Sequence, residues 1–312
     1  MSKVIILLGP TGVGKTGVSI LLARHLNTDI ISADSMQIYR HMDIGTAKPT
    51  VTEREGIMHH MIDIIEPSEE FSAGRFIEMV TPIIKDLLKK GKTPLIVGGT
   101  GLYIRAMTRG LFKGPSADWS LRKKLIETED TKRGSLYKHL KELDSEAAER
   151  IMPHDTRRII RAIEVCLKTK KGITELQKSF TEPLPYDFVL IGLKRERKEL
   201  YRLIEERVDR MVSSGLLDEV KMLLSMNPGK TALQAIGYKE MISHLRGEIT
   251  FDDAVRLIKK RTKAYAKRQF TWFKKEEGIM WIDITGLYTP FEIYNKILGE
   301  VALANSLKNL LP

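Results

Sequence analysis

Residues 4–16, VIILLGPTGVGKT, restrict this chain more than any other stretch. Five apolar residues read as a short strand, a glycine-rich turn follows, and KTGVSILLARHL at 15–26 carries helical spacing. Gly9-Pro10-Thr11-Gly12-Val13-Gly14-Lys15-Thr16 satisfies G-x-x-x-x-G-K-[ST] in the strand-to-helix setting where that pattern works. Glycines let backbone N–H groups turn toward phosphate oxygens, and a helix N-terminus adds partial positive charge. Lys15 neutralises a phosphate, and Thr16 offers its hydroxyl to Mg²⁺. A ligand with linked phosphates is therefore expected. The pattern leaves open whether phosphate is transferred, hydrolysed or released as a leaving group. A hydrolase would end a second strand in a metal-binding acid, whereas LIVGGT at 95–100 ends in Gly98-Gly99-Thr100.

Further strand patterns appear at DIISADS (29–35) and TPLIVGGT (93–100), with an amphipathic helix through 73–90 between them. Strands alternating with helices predict a parallel sheet covered on both faces. Between 116 and 187 the character changes: 15 basic and 13 acidic residues, helical spacing throughout, and no strand until FVLIGL at 188–193. The expected fold class is α/β, a P-loop NTPase-like parallel-sheet core formed by 1–115 and 188–312, with an all-helical domain inserted at 116–187. The single cysteine, Cys166, lies in the helix-like RRIIRAIEVCLK and reads as a buried hydrophobe, which fits a reducing cytoplasm. No apolar run approaches the ~20 residues that span a bilayer, so no membrane association is expected.

The chain carries 51 Lys and Arg against 40 Asp and Glu, a net charge of +11. Nine of the cations fall between Arg256 and Lys275 with no acid among them. Tyr265, Phe270, Trp272 and Phe273 are interleaved with these charges, a combination that suits RNA backbone and unstacked bases. Asp34 ends the second strand, where open α/β sheets hold ligands. There it could bind Mg²⁺, cap the next helix or accept a proton. Gln37 offers both a donor and an acceptor, the pattern that pairs with adenine. HHMIDI at 59–64 is read as a strand entry rather than a metal site, and Asp283 as a strand-end residue; no structural zinc is expected.

These residues resemble the tRNA dimethylallyltransferase family over most of the chain. The resemblance rests on GPTGVGKT (9–16), DSMQIY (34–39), GTAKP (45–49), HHMIDI (59–64), VGGTGLY (97–103), RRIIRAIEV (157–165), ERVDRM (206–211), GLLDEV (215–220), AIGYKE (235–240) and KRQFTWF (267–273), in that order. It implies transfer of a dimethylallyl group from dimethylallyl diphosphate to the exocyclic amine of adenosine-37 in tRNA, with Mg²⁺ present. On that reading Asp34 is the base, and Thr100, Arg207, Lys15, Thr16 and the loop amides stabilise the departing diphosphate. The resemblance further implies tRNA contacts from Asp34, Ser35, Met36 and Gln37 to the target base. It extends them to Arg157, Arg158, Ile159, Ile160 and Arg161, to Gly237, Tyr238 and Lys239, and to Lys267, Arg268, Gln269, Phe270, Thr271, Trp272, Phe273 and Lys274, with Arg122 as a further candidate.

Leu203 stands where many members have arginine, so Arg207 is the arginine carried over and Arg202 receives no role. The chain lacks the cysteines and histidines of the C-terminal zinc finger found in some eukaryotic relatives, which implies a bacterial-type enzyme. It is expected to act as a monomer in the cytoplasm on the anticodon stem-loop. Three other readings share some of these features: a P-loop kinase of a small metabolite, an enzyme that prenylates free AMP, and an RNA-binding module switched by nucleotide. The kinase would leave the helical insertion and the basic block without purpose, and the AMP enzyme would not need a basic surface.

Overall fold

A computed structural model describes residues 2–112, 114–179 and 181–303. Of these, residues 2–104 and 185–303 form one compact unit, and those between 105 and 184 form a second.

The first unit is built on six parallel strands: β1 (Lys3–Leu8), β2 (Ile30–Ala33), β3 (His59–His60), β4 (Leu95–Gly98), β5 (Asp187–Lys194) and β6 (Ile279–Asp283), in the order β3-β2-β4-β1-β5-β6. Ile5 and Leu7 of β1 pack with Val18 and Leu22 of the helix Lys15–His25 and with Ile191, Leu193, Ile204 and Ile293. Val4, Ile6 and Leu8 point to the opposite face by strand alternation and are equally buried. A strand apolar on both sides is what a parallel sheet between helical layers requires. Strand order reverses beside β1, with β4 on one side and β5 on the other, and the crevice outside the carboxyl ends at such a point is where ligands bind. Asp283 is the last residue of β6 and accepts hydrogen bonds from Thr285, a strand-end role as expected.

The second unit contains helices Trp119–Thr131, Ser135–Leu143, Ser145–Arg150, Thr156–Thr169 and Ile173–Ser179 around Leu136, Leu140, Ile159, Ile160, Ile163 and Leu176. Buried Asp144 caps Ala147 N–H at 2.8 Å and accepts from Thr174 N–H at 2.9 Å, joining two of these helices. The unit starts at Arg105 rather than 116 because its incoming and outgoing segments run together. Leu184 N–H donates to Met107 O at 2.9 Å, and a Cβ on Gly110 would lie 2.3 Å from Glu182 O. The composition change registers only the charged helices. Cys166 is buried as a free thiol. Among the described residues no helix is long and apolar enough to cross a membrane.

Candidate active site

The loop after β1 wraps the start of the helix Lys15–His25. Gly9 is required there: its φ is +153°, and a Cβ would lie 2.8 Å from Leu193 O of the neighbouring strand. The helix begins at Gly14 without a side-chain cap and without an acid in its first turn, so its first N–H groups stay available to an anion. Lys15 Nζ donates to Gly9 O and Pro10 O, both at 2.9 Å, which arches the side chain back over the loop. Burial, aided by Arg207, lowers the ammonium to a pKa of about 8 against the opposing pull of Asp34. A phosphate anion would relieve that strain.

Asp34 follows β2 directly. Its Oδ1 accepts from Met36 N–H at 2.8 Å and more weakly from Gln37 N–H at 3.4 Å, closing a turn that fixes the carboxylate. Among the described residues no donor reaches Oδ2, which leaves one oxygen for a substrate proton. Ser35 N–H donates to Thr100 Oγ1 at 3.0 Å, and Thr100 N–H donates to Ala33 O at 3.2 Å, tying the ends of β2 and β4 together. Burial and the charge of Asp34 push the Tyr265 phenol above its ordinary value, so it stays protonated near the carboxylate. Tyr265 gave no sequence signal beyond its place in the basic block.

Gln37 departs from the sequence expectation. Its amide N–H₂ donates to Thr46 O (3.4 Å) and Ala47 O (3.2 Å), and its Oε1 accepts from Ser32 Oγ at 3.3 Å, so it is engaged with protein rather than free to pair with adenine. A partly buried amide needs such partners.

Arg207 reaches the same place from the helix Arg197–Ser213. It donates to Thr11 Oγ1 at 3.2 Å and to Thr46 O at 3.3 Å, bridging the phosphate loop and the GTAKP segment. Burial holds its pKa below the ordinary value although Asp34 pulls it upward. The GTAKP segment is itself fixed by Glu219, whose carboxylate accepts from Asp43, Ile44 and Gly45 N–H at 2.9, 2.7 and 2.9 Å and from Tyr238 Oη at 2.5 Å. Arg195, just past the end of β5, donates to Val13 O, Ile284 O and Leu287 O and pairs with Glu199. Sequence reasoning missed both Arg195 and Glu219. For Arg195 the signal is its position, one residue beyond the strand adjacent to β1.

Several of these groups line a cavity of about 340 Å³ whose walls include residues 11–17, Asp34, Gln37, Gly99, Arg195, Leu203, Arg207, Arg210, Gln269 and Tyr288, with Thr100 just behind Gly99. Arg202 stays outside, paired with Glu206 at 2.7 Å and stacked on Tyr288. No group of three or more His, Cys, Asp or Glu among the described residues could cage a metal. A Mg²⁺ held mainly by substrate phosphate and water needs only one or two protein oxygens, and the exposed Thr16 at the cavity wall meets that need.

The basic helix, Phe251–Phe273, differs from its sequence reading in two ways. Gln269 is buried: its Oε1 accepts from Thr11 N–H at 2.8 Å and its Nε2 donates to Gly99 O at 2.9 Å, so it clips the phosphate loop to the end of β4 instead of facing RNA. Phe273 is fully buried too. The block's acids come mostly from other helices: Asp209 pairs with Lys259 at 2.6 Å, Glu205 with Lys263 and Glu240 with Arg261, while Asp253 in the first turn of the same helix pairs with Arg256. Lys267, Arg268, Thr271 and Lys274 remain exposed, with Arg268 over Tyr265 and Lys274 over Phe270. Trp272 packs against Gly101, where a Cβ would meet its ring at 2.4 Å.

Two further corrections concern apolar positions. Tyr238, behind Gly237, is fully buried on Glu219, and Ile159 and Ile160 belong to the helical core; these side chains cannot face RNA because burial of their apolar surface holds their helices in place. Lys239, Arg157 and Arg158 are exposed. Arg122 and Arg161 both bind Glu164.

A phosphate loop at the central strand of a parallel sheet, with a carboxylate across the cavity, defines a P-loop protein of the α/β class. A profile of the IPP transferase family matches residues 37–276, and the chain belongs to that family. It is 57% identical over 299 residues to the tRNA dimethylallyltransferase of Thermodesulfovibrio yellowstonii (93% of this chain, 94% of that protein), and 47% identical to that of Thermotoga neapolitana (97% and 99%). It is also similar to two solved structures. One is a tRNA isopentenylpyrophosphate transferase from Bacillus halodurans, at TM-score 0.71 and 40% identity with 99% of both chains covered. The other is a eukaryotic dimethylallyltransferase acting on tRNA, at TM-score 0.82 and 32% identity with 100% of this chain and 81% of that one covered.

Proposed function

We propose that this protein transfers a dimethylallyl group from dimethylallyl diphosphate to the exocyclic amine of adenosine-37 in the anticodon loop of tRNA, releasing diphosphate. One observation carries the reading: the phosphate loop, Lys15 and Arg207 face a carboxylate, Asp34, across a single cavity, so an anionic leaving group and an acidic proton can be served at once.

The amine nitrogen attacks the first carbon of the dimethylallyl group. The carbon–oxygen bond breaks and its electron pair leaves with the diphosphate, while the amine proton passes to Asp34. An adenine amine is a weak nucleophile because its lone pair is delocalised into the ring, so removal of that proton matters. Lys15, Arg207, Thr100 and the N–H groups of residues 12 and 14–16 stabilise charge on the departing oxygens, a stronger effect at bond breaking than in the resting substrate. Thr16 would hold Mg²⁺, which supplies further positive charge on the diphosphate. The base leaves its stack to reach Asp34, at a cost of a few kcal/mol that is smallest in a loop.

The exposed cations Arg157, Arg158, Lys239, Lys267, Arg268 and Lys274 support binding of the RNA backbone, with the helical unit among its contacts. A cytoplasmic site of action accords with that substrate. The test is incubation with labelled dimethylallyl diphosphate and an anticodon stem-loop, followed by nucleoside mass spectrometry. A prenylated adenosine is expected; transfer of a γ-phosphate from ATP without prenyl transfer would overturn the reading.

A further inference from the structure

We propose that Trp119 and Arg122 of the helical unit form a stacking platform for an unpaired RNA base. Trp119 opens its helix behind the cap Asp118 and is 57% exposed. A lone exposed tryptophan needs no explanation; the setting of this one does. The Arg122 guanidinium carbon lies 5.0 Å from the centroid of the indole. That guanidinium is fixed, because its Nε and Nη2 donate to the Glu164 carboxylate at 3.0 and 2.8 Å.

Glu164 is completely buried, and it also accepts from Asp118 N–H at 2.7 Å and Arg161 Nη1 at 2.5 Å. One carboxylate therefore orients both the cap residue that starts the helix and the cation beneath the ring. Ordering of the aromatic face is achieved before any ligand arrives. Arg122, Arg161 and Lys168 outnumber Glu164 and Asp118 by one, so the surroundings of the indole carry net positive charge. Exposed Arg157 lies about one turn before Arg161 on its helix, beside Arg158, which pairs with Asp155 at 3.3 Å. A flat face in a net positive surface fits a ligand that is planar and anionic along its backbone, which is single-stranded RNA. The platform rests on the proposed action on tRNA and adds a residue to which the family resemblance gives no role.

The test compares wild-type protein with Trp119→Leu and Trp119→Phe, using an anticodon stem-loop. Trp119→Leu is expected to weaken RNA binding roughly 5- to 100-fold. Trp119→Phe keeps an aromatic face and is expected to lose less than about threefold. Part of the tryptophan emission is quenched by saturating RNA in wild type, and that part disappears in Trp119→Phe. Turnover at saturating RNA stays at the wild-type level in both. Equal affinities for wild type and Trp119→Leu, equal losses in the two variants, or quenching unchanged in Trp119→Phe would each overturn the platform. Wild-type prenylation with no effect of Trp119 removes the platform alone; absence of RNA binding by wild type removes the proposed function with it.

Discussion

Gln269 accepts a hydrogen bond from the Thr11 N–H at 2.8 Å, so the basic helix and the phosphate loop are coupled across 258 positions of sequence. With its amide also on Gly99 O, the side chain sets the spacing between the loop and the end of β4. Gln269→Leu leaves two buried backbone groups unpaired and is expected to lower stability by about 2–4 kcal/mol. Turnover should fall roughly 10- to 100-fold while RNA affinity changes less than about threefold. Denaturation curves and steady-state kinetics separate the two effects; a loss confined to RNA affinity would make Gln269 a direct contact instead.

Asp34→Asn keeps the oxygen that accepts from Met36 N–H and removes the basicity. Turnover should drop roughly 10²–10⁴-fold with tRNA binding and melting temperature preserved. Asp34→Ala, which also loses the turn, should be less stable. Full activity in the asparagine variant would exclude Asp34 as the base.

Lys15 has a pKa of about 8 in the unliganded protein, and a bound diphosphate must raise it. Above pH 8 the free site loses its proton, so binding has to take one up. The apparent dissociation constant is then expected to rise up to about tenfold per pH unit until the pKa of the complex is reached. The unliganded fold has the opposite sign. Its lysine pKa is depressed, the unfolded chain binds more protons between about pH 8 and 10.5, and this group's contribution to stability increases with pH through that window. Calorimetric titrations in buffers of different ionisation heat measure the proton uptake directly.

Glu164 sits in the helical unit under two arginines. Burial alone would raise its pKa, but Arg122, the Asp118 N–H and Arg161 outweigh it and hold the carboxyl at about 2. A depressed acid stabilises the fold above its unfolded pKa and loses that contribution as pH falls from about 4.5 toward 2. Glu164→Gln leaves the arginines facing a neutral amide and is expected to cost about 3–5 kcal/mol. Thermal melts of wild type and variant at pH 7 and pH 3 should converge at the lower pH.

Lys267 and Arg268 are exposed cations, whereas Lys259 and Lys263 already pair with Asp209 and Glu205. Replacing the first two by alanine should reduce the slope of log affinity against log salt by roughly 1.4, at about 0.7 per contact to single-stranded RNA. The second pair should change it much less. Filter binding across a salt series distinguishes them, and equal slopes for both double variants would remove the distinction.

The sheet and the phosphate loop were legible because their determinants are local: apolar runs of strand length, and glycines where positive φ or close approach demands them. Asp34 is legible as the residue just beyond a strand end, and Lys15 as the cation of the glycine-rich turn. The partners of Gln269 and Gln37 are not legible in the sequence, for a common reason. An amide that could pair with a base can equally satisfy buried backbone groups, and only the tertiary contacts decide which. The basic block was judged on its own twenty residues, although its acids lie mostly on neighbouring helices. Glu219 is an unremarkable acid in GLLDEV until the fold brings three N–H groups to it.

That last arrangement bears on how the protein is made. Asp43, Ile44 and Gly45 leave the ribosome some 170 residues before the carboxylate that gathers them, and the Thr46 and Ala47 carbonyls that steady Gln37 and Arg207 follow directly. The rim of the pocket has to wait until translation has passed Glu219, and the clip on the phosphate loop until it has passed Gln269. Incomplete chains would therefore lack the geometry to use diphosphate.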